Sequence, residues 1–90
     1  MLRGVPTVVL RSPLSTLAGS AGRVPVAGAT VSEALVDLER RCPGLRGWVI
    51  DEHGRIREHV NVFVNGSPGE ALTPIAAADT LHVLSAISGG

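Results

Sequence analysis

The sequence predicts an α+β fold: a mixed sheet of four to five strands with one main helix packed across one face. Three observations predict it. Thr30-Val-Ser-Glu33 opens a stretch whose apolar residues recur at helical spacing, the mark of one amphipathic helix. Between His59 and Asn65, Val60, Val62 and Val64 alternate with Asn61 and Phe63, the period of a strand with an all-valine face. The chain has 90 residues, 44% of them hydrophobic, yet only one Trp, one Phe and no Tyr. That length holds one domain, and its core must be built from Val, Leu, Ile and Ala.

Val5 to Leu10 is rich in β-branched residues and reads as a first strand, with Pro6 tolerated near its start. Ser12 to Gly22 is dominated by Ser, Gly, Pro and Ala and reads as a turn or loop. Arg23 to Ala27 returns to strand character, confined to a sheet edge by Pro25, which has no N–H to donate. The two strands form a hairpin with a long connection. Val31 to Arg41 is the helix. Thr30 and Glu33 make a capping box, Val31, Ala34, Leu35, Leu38 and Cys42 form the apolar stripe, and Arg40-Arg41 suit the negative end of the dipole. Pro43-Gly44 stops it. Leu45 to Ile50 reads as one further turn with Trp48 packed beneath it, and Asp51 to Gly54 as a polar turn. The valine strand ends at the Asn65-Gly66 turn signal, and Ser67 to Gly69 continue the polar stretch. Glu70 to Ala78 is short and mixed. Asp79-Thr80 then turns the chain into a last strand, Leu81 to Leu84.

Charge and residue counts exclude several function classes. Eight basic and eight acidic residues cancel, whereas a nucleic-acid binder carries a basic patch, and its single-stranded class also carries a row of aromatics. No nucleic-acid partner is expected. All eight basic residues are Arg, so no lysine is available as Schiff base, general base or isopeptide acceptor. Cys42 is the only cysteine and sits on the helix stripe, which makes it a structural thiol. His53, His59 and His82 lack metal-ligand spacing, and no phosphate-cradling glycine loop is present. No run approaches the ~20 apolar residues of a membrane span, and the start, Met1-Leu-Arg-Gly-Val-Pro, lacks a signal-peptide core. A cytoplasmic protein with no membrane partner is expected.

The order of elements, together with Val60-Asn-Val-Phe-Val-Asn-Gly66 and the run Asp79-Thr-Leu-His-Val-Leu84 continuing to Ile87-Ser-Gly-Gly90, resembles the MoaD/ThiS family of ubiquitin-like sulfur carriers. The resemblance implies a β-grasp domain over residues 1–84 and a flexible C-terminal tail over residues 85–90. The segment from Pro43 to Arg57 is more similar to MoaD-type and actinobacterial cysteine-pathway carriers than to the short thiamin-pathway members. Ser85 stands where many relatives have a proline before the tail.

The tail has simple chemistry. A terminal carboxylate is ionised at neutral pH and can attack the α-phosphate of ATP. Gly89 and Gly90 have no Cβ, so the end can thread a narrow channel; residues 85–90, extended, reach about 20 Å. The resemblance implies that an E1-like adenylating enzyme consumes ATP to activate Gly90, a sulfur donor converts it to a thiocarboxylate, and a downstream biosynthetic enzyme accepts the sulfur. Gly89, Ser88 and Ile87 would form the threaded tail. The carrier would be a co-substrate with no catalytic residue, bound cofactor or metal of its own. Molybdopterin, cysteine, thiamin thiazole and a sulfur-containing metabolite are all open as acceptors, with thiamin least favoured. Two alternatives use the same tail: a ubiquitin-like modifier conjugated through Gly90, and a small subunit of a molybdopterin-synthase-like complex. With the valines turned to the helix, strand alternation places Phe63, His82 and Leu84 on the opposite face, where the ubiquitin-like fold commonly meets its activating enzyme.

Overall fold

The computed structural model describes residues 4–19 and 22–85. The expectations for Ile87, Ser88, Gly89 and Gly90 lie outside them. Five strands form one sheet: β1 (Thr7–Leu10), β2 (Arg23–Pro25), β3 (Val60–Val64), β4 (Ser67–Pro68) and β5 (Thr80–Ser85), in the order β2-β1-β5-β3-β4. β1 and β5 are parallel; the other neighbours are antiparallel. This is the β-grasp arrangement, with the last strand in the centre of the sheet. β2 is an edge strand, as Pro25 requires.

A short helix, α1 (Leu14–Ala18), interrupts the stretch expected to be loop. Ser, Gly and Pro hide it in the composition. It forms because Leu14 is fully buried and Leu17 and Ala18 pack against the core, and Gly19 closes it in the left-handed conformation. The main helix, α2 (Val31–Arg41), has the predicted bounds. The Thr30 hydroxyl accepts from the Glu33 amide at 3.2 Å, and the Glu33 carboxylate accepts from the Ala29 amide at 2.9 Å. Two further amides at its start, Val31 and Ser32, donate to the carbonyls of Thr73 and Ala71, so the 71–75 segment completes the cap.

Val31, Ala34, Leu35 and Leu38 of α2 pack against Val8, Val60, Val62, Leu81 and Val83 of the sheet, all at 7% exposure or less. Each such Val or Leu side chain contributes about 1.5–3 kcal/mol when fully buried. Asn65, with φ of 51°, and Gly66, with φ of 89°, form the predicted turn, but Ser67 and Pro68 beyond it pair with β3 as a two-residue strand rather than continuing as loop. β5 reaches Ser85, which pairs with Val60.

Trp48 corrects an expectation. It is 41% exposed, while Leu45, Val49 and Ile50 around it are buried. The cause is Glu39, whose carboxylate accepts from the amides of Gly47, Val49 and Ile50 at 2.7–3.1 Å. That clamp fixes the segment so that its aliphatics turn in and the indole turns out. Among the described residues, no helix is long and apolar enough to cross a membrane.

Candidate functional site

β5 lies between β1 and β3 and brings the chain to Ser85, five residues before Gly90. Its alternation is strict: Leu81 and Val83 are completely buried under α2, while His82 and Leu84 are half-buried on the other face. Register then assembles that open face. Val9 stands opposite Arg23 on one side and His82 on the other; Phe63 stands opposite His82 and Pro68. One row across all five strands therefore reads Arg23, Val9, His82, Phe63, Pro68. The next row pairs Leu84 with Asn61. Phe63 is half-buried and lies outside the core cluster. The structure thus brings Phe63, His82 and Leu84 together, as strand alternation predicts. Val9, Arg23 and Pro68 belong to the same face; only strand register could have found them.

The two ends of β5 differ. At its start, the Asn65 side-chain amide donates to Asp79 at 2.8 Å, and the Asn65 side-chain carbonyl accepts from the Thr80 amide at 2.9 Å. The bond from Asn65, seconded by the Ala76 amide, holds the Asp79 carboxyl below the usual carboxylate range. This clasp fixes where β5 begins. Its far end is bordered by the end of β1 with Arg11, the start of β2 with Arg23, and the segment leading into β3. In that segment the Arg55 and His53 amides both donate to Asp51, lowering its pKa. The Arg57 Nε is buried without a hydrogen-bond partner among the described residues.

Two shallow hollows, of 410 and 420 Å³, lie beside α2 and within the 51–59 segment, and neither includes a residue of β5. Among the described residues no group of three or more His, Cys, Asp and Glu is placed to hold a metal ion. Cys42 is buried, which pushes its thiol pKa up against the weaker opposing pull of Arg41.

The ThiS family model matches residues 8–90. The small archaeal modifier protein 1 of Haloferax volcanii is 37% identical over 83 residues, spanning 90% of this chain and 95% of its relative. A crystal structure of that protein superposes with a TM-score of 0.82 at 36% identity, covering 97% of this chain and all of the other. A chain in the crystal structure of the Amycolatopsis orientalis BexX/CysO complex superposes equally well, at 0.82, with 31% identity over 96% of this chain and 100% of that one. CysO of Mycobacterium tuberculosis, described as an antigen, reaches 0.77 at 27% identity, over 91% of this chain and 99% of its own. The sheet order, the capped helix and the extent of these matches agree: the chain belongs to the ThiS family and has its ubiquitin-like β-grasp fold.

Proposed function

We propose that this protein is a cytoplasmic sulfur carrier whose reactive group is the Gly90 carboxylate. An E1-like enzyme joins that carboxylate to AMP from ATP, releasing pyrophosphate. Hydrosulfide from a sulfur donor then attacks the acyl carbon, AMP leaves, and Gly90 becomes a thiocarboxylate that a downstream biosynthetic enzyme consumes. The protein is a co-substrate in this cycle. The observation that carries the reading is the central β5, paired with β1 as far as Val83 and with β3 as far as Ser85, in a family match that runs through Gly90. A strand so held fixes the position of Ser85 at the end of the sheet. The relative found in a complex with BexX supports a partner-dependent role.

Intact-mass measurement after incubation with ATP, a sulfide source and the cognate adenylating enzyme tests this. The expected product carries one sulfur in place of one oxygen at Gly90. No conversion, or equal conversion after Gly90 is deleted, would overturn the proposal. The name and 37% identity of the archaeal modifier protein favour one second reading, conjugation through Gly90 to target amines. It gives covalent adducts larger by a whole copy of this chain instead of a single-atom exchange.

A further inference from the structure

The helix side of the molecule carries most of its exposed apolar side chains. Four large hydrophobic residues are exposed among the described residues, and three of them, Val36, Trp48 and Leu72, lie in or beside α2. Val36 belongs to the helix and is 50% exposed. Leu72 is 82% exposed and follows Ala71, whose carbonyl accepts from the Ser32 amide at the start of the helix. Trp48 follows Gly47, whose amide donates to Glu39 in the second half of the helix. Single apolar residues on a surface are ordinary, but these three follow one helix whose other exposed side chains are charged. Glu33, Val36 and Arg40 stand at i, i+3 and i+7, one stripe facing away from the buried Val31, Leu35 and Leu38. Arg40 gives Asp37 one N–H and keeps 76% of its side chain exposed. One Glu33 oxygen accepts from the Ala29 amide, and the other has no partner among the described residues. Glu33, Val36 and Arg40 also line the 410 Å³ hollow beside α2.

We propose that this stripe docks a second copy of the chain, with the two α2 helices antiparallel across a two-fold axis at Val36. The order of charges selects that arrangement. At a rise of about 1.5 Å per residue, Glu33 lies ~4.5 Å from Val36 toward one end and Arg40 ~6 Å toward the other. An antiparallel copy therefore brings each Glu33 level with Arg40 of the second copy, to within one residue's rise. A parallel copy would set Glu33 against Glu33 and Arg40 against Arg40. The same axis brings Leu72, at the start of one helix, level with Trp48, beside the far half of the other. A two-fold interface needs one patch that complements itself, and this one does so in charge and in apolar residues. A wholly acidic or wholly basic partner would match only one end of the stripe. The contact is small and its ion pairs are exposed, so the dimer is weak and salt-sensitive. It leaves the open face of the sheet uncovered and stands independently of the carrier reading.

Sedimentation velocity of the full chain at low salt, from about 10 μM to about 1 mM, is the test. The average mass should rise with concentration from 9.3 kDa toward twice that value. Trp48 emission should shift in step, and added salt should reverse both changes. Val36→Asp, which sets two carboxylates at the axis, should stay monomeric with an unchanged circular-dichroism spectrum. Glu33→Arg alone and Arg40→Glu alone should each self-associate at least about tenfold more weakly than wild type, because like charges then face each other. An equimolar mixture of these two variants should associate about as well as wild type, since both ion pairs form again in the mixed dimer. Mixing would not rescue variants that had merely damaged their helix. A single species of 9.3 kDa at every concentration overturns the proposal. So does a dimer that Val36→Asp leaves intact, or a mixture that fails to associate. If the chain is monomeric alone and the cognate adenylating enzyme shifts the Val36 and Trp48 amide resonances, the stripe belongs to that enzyme and the pairing is equally overturned.

Discussion

Phe63 and Asp37 illustrate how a single residue's surroundings decide what a substitution reads out. Phe63 is half-buried on the face away from α2, and its row neighbours His82 and Pro68 belong to flanking strands. Phe63→Asp should therefore leave the circular-dichroism spectrum and the cooperativity of unfolding intact while lowering the rate of ATP-dependent activation by tenfold or more, on the order of 1.4 kcal/mol in partner binding. Loss of the fold would instead show Phe63 to be core. Asp37 is 5% exposed, and its carboxylate accepts from the Ala27 amide at 2.9 Å and from Arg41 and Arg40. The Ala27 bond is the largest influence and Arg41 the next; together they draw its pKa from 3.8 to about 2. A carboxyl with a lowered native pKa stabilises the fold above its unfolded value and loses that contribution as pH falls toward the native one. The melting-temperature gap between wild type and Asp37→Asn should thus be full above pH 4 and close between pH 4 and pH 2. At neutral pH the substitution should cost about 1 kcal/mol, since both arginines are substantially solvated. A gap independent of pH would contradict this account.

At the scale of elements, local signals were legible and distant ones were not. The Thr30–Glu33 capping box gives α2 its bounds because donor and acceptor lie within one turn. The valine alternation gives β3, and with it the side of the sheet on which Phe63 stands. By contrast, α1 draws its stability from Leu14 burial and from close approach to Gly44, where a Cβ would lie 2.1 Å from the Leu17 carbonyl oxygen. Nothing within residues 12–22 announces that contact. β4 is two residues long and exists only as a partner to β3. Arg23 and Val9 joined the candidate site through register, which periodicity within one strand does not contain. Trp48 was misplaced for the same reason: its exposure follows from Glu39, eight to eleven residues from the amides it holds. Glu39→Ala removes the acceptor of three amides, two of them partly buried, and should destabilise the protein by about 2–4 kcal/mol. Hydrogen exchange should accelerate at Gly47, Val49 and Ile50 beyond any change at Val62 and Val83, and the emission of Trp48, the single indole, should shift. Equal acceleration throughout would mean that the clamp has no local role.

Over the whole molecule, the balance of eight arginines against eight carboxylates conceals the absence of lysine, and that absence makes the carrier and modifier readings separable in one experiment. An activated Gly90 is an acylating agent, and a neutral amine attacks it more readily than a guanidinium, which stays protonated. On a second copy of this chain the arginines are therefore poor nucleophiles, an acyl group on a histidine imidazole is lost again to water, and Cys42 is buried with a raised pKa, so none of these side chains forms a lasting amide link. If the protein is conjugated to targets, each modified lysine should carry one copy, and no lysine-linked polymer of this chain should form. Peptide mapping of conjugates after proteolysis should find Gly90 joined to target lysines only. Arg46→Lys places an amine on an exposed position of the segment following α2, and under the modifier reading it should permit branched adducts that wild type does not form. Under the carrier reading the same variant should behave as wild type, because a thiocarboxylate is a sulfur donor and does not acylate amines unaided. Wild-type copies joined to one another by an isopeptide bond at a side chain would contradict this expectation.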